Sequence, residues 1–317
     1  MKIVITGGSG QVGGILSRHF HGRGDEVAVI ARHPKPAPWT TVAWDGLRAG
    51  EWGNHLNGAD VVINLAGRSV NCRYNQANRR EIMESRVVTT RVVGEAIAKA
   101  SNPPKLWMNA STATIYRHAT DRAMDEVDGE IGGGEAGLPS SWRFSYDVAT
   151  SWERAFAASE TPRTRKIALR SAIVMSPDRG GAFETLLNLV RFGFGGAAGS
   201  GRQFVSWIHD ADFAAAIDFL IANPDLDGYI NVSSPQPLPN RDFMAGLRRA
   251  YGAPIGLPAA DWMLELGAFF LRTETELILK SRRVEPRRLL EAGFEFRFPE
   301  WGRAATDLVR RRRAQTD

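Results

Sequence analysis

The sequence is poor in cysteine, lysine and tyrosine, and it contains no long hydrophobic run. Cys72 is the only cysteine among 317 residues, which excludes an internal disulfide and leads us to expect a reducing, cytoplasmic setting. The longest apolar stretch, Trp262–Leu271, is interrupted by Glu265 and too short to span a bilayer. Met1-Lys2 runs straight into an apolar segment, so no cleavable leader is expected. Six lysines stand against 34 arginines, which together make the 40 basic residues of a chain with net charge +5. That surplus suits steering of an anionic cofactor or substrate. The basic run Arg310–Arg313 has no aromatic or nucleic-acid module beside it and reads as a solvated helix end. Neither nucleic acid nor a membrane is an expected partner. A small-molecule substrate is, and a homodimer is left open. No metal-ligand spacing, nucleophile elbow or Walker loop occurs.

What is present begins at the first residues. Lys2–Ile5 is short, apolar and β-branched, and Thr6-Gly7-Gly8-Ser9-Gly10-Gln11-Val12-Gly13 follows it. Val12, Ile15, Leu16 and Phe20 then repeat at helical spacing. This strand, glycine loop and helix form a dinucleotide-binding unit. Gly7 permits the tight turn, Gly10 admits a pyrophosphate, and Gly13 lets helix and strand approach. The free amides of the helix start then face the phosphates. The second strand, Glu26–Ala31, ends not in the carboxylate that would chelate an NAD ribose but in Arg32 and His33. A guanidinium there suits a 2′-phosphate, so NADP(H) is the expected cofactor; the alternative is an ordinary solvated arginine at a strand end.

Farther along, strands are predicted at Thr40–Trp44, Asp60–Leu65, Lys105–Ala110 and Lys166–Arg170, with helices over Gln76–Ala100 and Arg143–Ser159. Thr120–Ser141, rich in glycine and acids, reads as a surface loop. Continuous apolar strands separated by helices mean a parallel sheet covered on both faces. The expected fold class is therefore α/β: a Rossmann-type doubly wound parallel sheet with a smaller, mostly helical C-terminal substrate lobe. Residues 1–175, joined again by 208–234, are assigned to the nucleotide domain, and 176–207 with 235–317 to the lobe. Ligands of such sheets lie beyond the strand C-termini. The expected cofactor contacts are Thr6, Gly7, Gly8, Ser9, Gly10, Gln11, Val12, Gly13, Arg32, His33, Leu65, Ala66, Gly67 and Arg170.

The strings TGGSGQVG, NLAG, STATIY, GSGRQFVSWIHDAD and RRVEPRRLLEAGFEFRFPE together resemble one family nearly end to end. It is the atypical extended short-chain dehydrogenase/reductase group, whose members are labelled epimerase family proteins or nucleoside-diphosphate-sugar epimerases. The resemblance implies an NADP-type Rossmann domain and a family-specific C-terminal domain, and it leaves the reaction open. The wider superfamily uses a Tyr with a Lys four residues later. Here Asn78, Thr120, Thr150, Ser233 and Ile255 stand four residues beyond Tyr74, Tyr116, Tyr146, Tyr229 and Tyr251, so the pair is missing from the sequence. Registered on Glu153, which resembles the superfamily's Glu, the Tyr slot holds Ser145 and the Lys slot Ala149.

Three residues remain as catalytic candidates. Thr112 fits the Ser/Thr position that polarises a substrate carbonyl, or it serves as a strand-end cap. Tyr116 and Tyr146 are phenols that either act or pack. Arg68, Cys72, Gln203, Trp207 and His209 are the candidate substrate contacts, with a structural role open for each; Asp212 reads as a helix N-cap. Two readings stand: an oxidoreductase or epimerase with a non-standard proton donor, and a non-catalytic NADP(H)-binding sensor or regulator.

Overall fold

The computed structural model describes residues 1–259 and 276–315. The apolar stretch Trp262–Leu271 lies outside the described residues. The chain begins with β1 (Lys2–Thr6), helix α1 (Gln11–Gly22), β2 (Glu26–Ala31), β3 (Thr40–Ala43) and β4 (Val61–Asn64). Helix α2 (Gln76–Lys99), β5 (Leu106–Thr112), α3 (Ser140–Ala157) and β6 (Arg165–Ser171) follow. A seven-stranded sheet has the order β10-β6-β5-β4-β1-β2-β3, where β10 is Gly228–Val232, and every pairing in it is parallel.

Strand alternation sorts the apolar side chains onto two faces. Ile3 and Ile5 point one way and meet Leu16 and Phe20 of α1, together with Ile217 and Leu220 of α5 (Asp210–Ala222). Val4 and Val62 point the other way and meet Val93 and Ile97 of α2 and Phe156 of α3. Both faces are dry, which is why β1 and β4 read as unbroken apolar runs.

A second core lies under the helices α4 (Ala182–Arg191), α6 (Asn240–Tyr251) and Trp301–Ala314. Trp301 is its hub. Its ring stacks on Phe243 at 3.9 Å between centroids and meets Trp207 edge-on at 4.9 Å. Short strands β7 (Ile173–Met175) and β9 (Trp207–His209) pair beside it, and β8 (Phe204–Val205) pairs with β11 (Leu238–Pro239).

Most boundaries shift by a residue or two from the sequence expectation, and three of the shifts bear on the site. β5 continues to Thr112, because Ser111 and Thr112 keep pairing with Arg170 and Ser171 although they are polar. α3 starts at Ser140, directly after Pro139. α5 starts at Asp210 and is capped by His209, whose Nδ1 accepts from the Ala211 amide. Asp212 is therefore not the cap: its carboxylate accepts from the Arg297 and Phe298 amides at 2.8 and 2.9 Å, tying α5 to the C-terminal region.

Candidate functional site

The loop after β1 is tight because it runs against the loop after β4. Gly7 has φ +73°, and a Cβ there would lie 2.4 Å from the Ala66 Cα. A Cβ on Gly13 would sit 2.3 Å from the Gly8 carbonyl oxygen, so helix and loop touch only because both lack side chains. Gly10 is different. A Cβ there would meet only the Gly7 oxygen, at 4.0 Å, so packing does not require glycine. A side chain would instead stand in the open space over the loop, where a diphosphate would lie. Gly10 is the N-cap of α1 with no side-chain cap, and Ser9 and Gly10 are exposed. The helix amides are left for an anion. The loop fits a dinucleotide.

Arg32 and His33 follow β2 directly and are exposed, and Arg32 has no hydrogen-bond or ion-pair partner among the described residues. Thr6 is fully buried, and its hydroxyl donates to Asn64 Oδ1 at 2.8 Å. Asn64 in turn donates to Asn109 at 2.7 Å and accepts from the Ala66 amide at 3.1 Å. Thr6 is therefore a brace between β1, β4 and β5 rather than an open contact. The Leu65 amide donates to the Thr6 carbonyl, and Gly67 is exposed above Arg86, whose Cζ would be 3.4 Å from a Gly67 Cβ. Burial lowers the Arg86 guanidinium to about 10. Gln11 turns toward the smaller lobe: its amide nitrogen is buried without a hydrogen-bond partner among the described residues and faces Gly181. Val12 is half-buried, and packs against the core on the α1 face.

Several expected contacts are engaged by the fold. The Arg170 guanidinium is buried, held by both oxygens of Glu153 at 2.8 Å and donating to the Tyr116 hydroxyl at 2.9 Å. It forms a buried ion pair, with its bonds to Glu153 and Tyr116 made inside the fold. Tyr116 also donates to Asn231 at 2.9 Å and is buried, so its phenol belongs to the same network. His209 is fully buried, stacked on Phe298 at 3.9 Å, with Nε2 3.2 Å from Asp307. Trp207 is fully buried and donates to the Gln236 carbonyl. Gln203 is buried and donates to the Ala198 and Ile278 carbonyls. These three do not line an open pocket in this arrangement. Arg68 pairs with Glu81 at the surface, and half-buried Cys72 lies 3.8 Å from the Ser69 carbonyl oxygen. A groove of about 740 Å³ lies between α2 and α3, and one of about 790 Å³ lies at the start of β6 and β10; neither includes a residue of the glycine loop.

At the C-terminal edge of β5 a polar cluster forms from four distant segments. Thr112 is half-buried and accepts from the Thr114 amide at 3.1 Å. It thus caps the turn locally, and among the described residues its hydroxyl hydrogen has no acceptor. On α3, Ser145 donates to Glu276, and Tyr74 hydrogen-bonds Ser145. Burial and then the Glu276 charge push the Tyr74 phenol up to about 12. Tyr146 packs beneath Gly132, where a Cβ would lie 2.1 Å from its ring. Burial, and after it Glu135, raises the Tyr146 phenol well above its ordinary value. Lys280 Nζ sits 3.6 Å from the Tyr146 ring centre and donates to the Thr114 carbonyl at 2.6 Å. Arg282 donates to the Thr114 hydroxyl at 2.9 Å and lies 3.7 Å from Glu276. The sequence reading brought out Thr112 and Tyr146 but not Tyr74, Glu276, Lys280 or Arg282. Only the Glu153 register, which singles out position 145, pointed toward them.

The sequence pattern of the "NAD dependent epimerase/dehydratase family" matches residues 3–233, and "Domain of unknown function (DUF1731)" matches residues 259–308. The epimerase family protein SDR39U1 of Bos taurus is 32% identical over 315 residues, covering 98% of this chain and all of that protein. The crystal structure of human epimerase family protein SDR39U1 (isoform 2) with NADPH is 30% identical, with a TM-score of 0.85 over 98% of this chain and 99% of that one. A nucleoside-diphosphate sugar epimerase from Corynebacterium glutamicum is 28% identical, with a TM-score of 0.75 over 97% of this chain and 57% of that one. Among the described residues no helix is long and apolar enough to cross a membrane. With the glycine loop, the parallel sheet and the C-terminal domain all matched, the chain belongs to the NAD dependent epimerase/dehydratase family, among the atypical extended short-chain dehydrogenases/reductases.

Proposed function

We propose that this protein binds NADP(H) and is an oxidoreductase or epimerase acting on a small or nucleotide-linked substrate. The observation that carries the reading is the geometry of Gly10: its missing side chain is explained by an approaching ligand and not by packing. Arg32 supports the choice of NADP(H), since its guanidinium is exposed without a partner among the described residues where a 2′-phosphate would lie. The human relative crystallised with NADPH supports the same choice.

When bound, the nicotinamide supplies or accepts a hydride. The chain's own part is to hold and polarise the substrate. Gly7 through Gly13 hold the diphosphate, and Arg32 with His33 hold the adenosine end. Thr112 directs its hydroxyl hydrogen at the substrate carbonyl while its oxygen remains on the Thr114 amide. The sequence has no Tyr-x-x-x-Lys pair, so proton transfer must come from elsewhere.

A second reading, a cofactor sensor without catalysis, is favoured by one observation: Tyr116 is locked in a network with Arg170 and Asn231, and the Tyr146 phenol is raised by burial. The two readings separate on hydride transfer. With C4-deuterated NADPH and a panel of nucleotide sugars and small carbonyls, the enzyme transfers deuterium to product. Retention of all label by NADPH, despite tight binding, favours the sensor.

A further inference from the structure

We propose that Lys280, brought to the site from the C-terminal region, is the proton donor and acceptor of this protein's reaction. The inference rests on the reading of the chain as an oxidoreductase or epimerase and names the group that reading lacks. Lys280 is one of only six lysines, and its side chain is 1% exposed. Its Nζ stands between two groups at the functional edge of the sheet. One is the Thr114 carbonyl, two residues beyond Thr112, and the other is the ring of Tyr146, next to Ser145. The same segment carries Glu276, which accepts from Ser145 in the Tyr slot, so Lys280 belongs to the cluster at that slot, although no local sequence pattern links position 280 to positions 112 and 145.

A buried ammonium is costly unless its charge can leave. Burial and then the neighbouring Arg282 charge lower Lys280 to about 6, against the opposing effect of Glu276 and Glu135. His118 and Tyr146 also face it. An amine poised near neutrality can both give and take a proton, as acid–base catalysis requires. An ordinary surface lysine cannot. In the reducing direction, the carbonyl carbon takes the hydride pair that bound NADPH gives up, and the carbonyl π pair moves onto oxygen. The Nζ–H bond breaks and an O–H bond forms, so Lys280 is left as a neutral amine. A proton from solvent restores the ammonium before the next turnover. The sum is one carbonyl, one NADPH and one proton consumed, and one alcohol and NADP⁺ formed. Glu276, hydrogen-bonded to Ser145, is a positioning residue that keeps the lysine-bearing segment on α3.

The test is a proton titration of the full chain labelled with ¹³C at lysine Cε, followed by NMR with saturating NADP⁺ or NADPH. Lys280→Met, of similar length and apolar, assigns the signal. Tryptophan fluorescence on the same samples reports cofactor binding, and thermal melting reports folding. The assignment predicts one resonance, absent in Lys280→Met, that titrates near pH 6 with NADPH. With NADP⁺ its midpoint falls by about one pH unit, because the oxidised nicotinamide is a nearby positive charge. With 9,10-phenanthrenequinone as carbonyl probe, Lys280→Met and Lys280→Arg lower NADPH consumption about 10²–10⁴-fold while NADPH affinity is kept. A resonance that titrates above pH 9, or a midpoint indifferent to the oxidation state of the cofactor, overturns the assignment while leaving the cofactor reading intact. So does full quinone turnover by a folded Lys280→Met. Where the quinone is not turned over, the titration decides. Absence of any fluorescence response to NADPH overturns the cofactor reading itself, and this assignment with it.

Discussion

At the scale of single residues, the glycine loop was the most legible part of the site, because each glycine answers a local steric demand. Gly7 and Gly13 are required by their neighbours, whereas packing makes no such demand at Gly10, where the proposed ligand would. Replacing Gly10 with Val should abolish NADPH binding and leave the melting temperature within a few degrees of the parent, as checked by calorimetry. Gly13→Val should unfold the loop, since its Cβ would lie 2.3 Å from the Gly8 oxygen. Thr112→Ala should lower turnover about 10–100-fold, corresponding to a loss of roughly 1.5–3 kcal/mol of transition-state hydrogen bonding, with NADPH affinity unchanged. Lys280 was not legible. It stands far along the chain from Thr114 and Tyr146, and no periodicity or motif spans that gap. Its titration also leaves a trace in stability. Lys280 holds its proton only below about pH 6 when folded, but up to ordinary lysine values when unfolded. Between these limits the unfolded chain binds the extra proton, so stability rises with pH. Relative to Lys280→Met, the wild type should gain about 1–3 kcal/mol between pH 7 and pH 9 in urea melts.

At the scale of elements, strands and helices of the sheet were readable because the central strands are buried on both faces and the helices on one. Misplaced boundaries came from polar residues that serve the tertiary structure. Ser111 and Thr112 look like a loop and are strand, because β6 lies alongside them. Asp212 looks like a cap, but α5 is capped by the imidazole of His209 one turn earlier, and the carboxylate is used to fasten Arg297 and Phe298. Arg170 stands at a strand end facing the expected site, yet a carboxylate from α3 claims its guanidinium. Such partners cannot be inferred from a pattern of hydrophobicity. Asp212→Ala should therefore cost about 2–3 kcal/mol by leaving two amides unpaired, measured as a shift in urea midpoint. It should not change NADPH affinity, which would separate this fastening from the cofactor site.

At the scale of the whole molecule, two cores share one chain. The sheet core carries the glycine loop, while the core around Trp301 carries the helices of the smaller lobe. Gln11, in the first turn of α1, faces Gly181 before α4, so the loop that would hold the diphosphate is in contact with the lobe. The polar cluster at Thr112 joins the same two parts through Glu276, Lys280 and Arg282. On the proposed function, this joint arrangement receives NADP(H), selected by Arg32. The most direct test is a pair of fluorescence titrations, with NADPH and with NADH, on the wild type and on Arg32→Ala. One charge-assisted bond to the 2′-phosphate contributes about 1.5–3 kcal/mol, so NADPH should bind roughly ten- to a hundred-fold more tightly than NADH to the wild type. The Arg32→Ala variant should bind the two equally, with its NADH affinity unchanged. Equal affinities in the wild type, or an undiminished NADPH preference in the variant, would contradict selection of NADP(H) by Arg32.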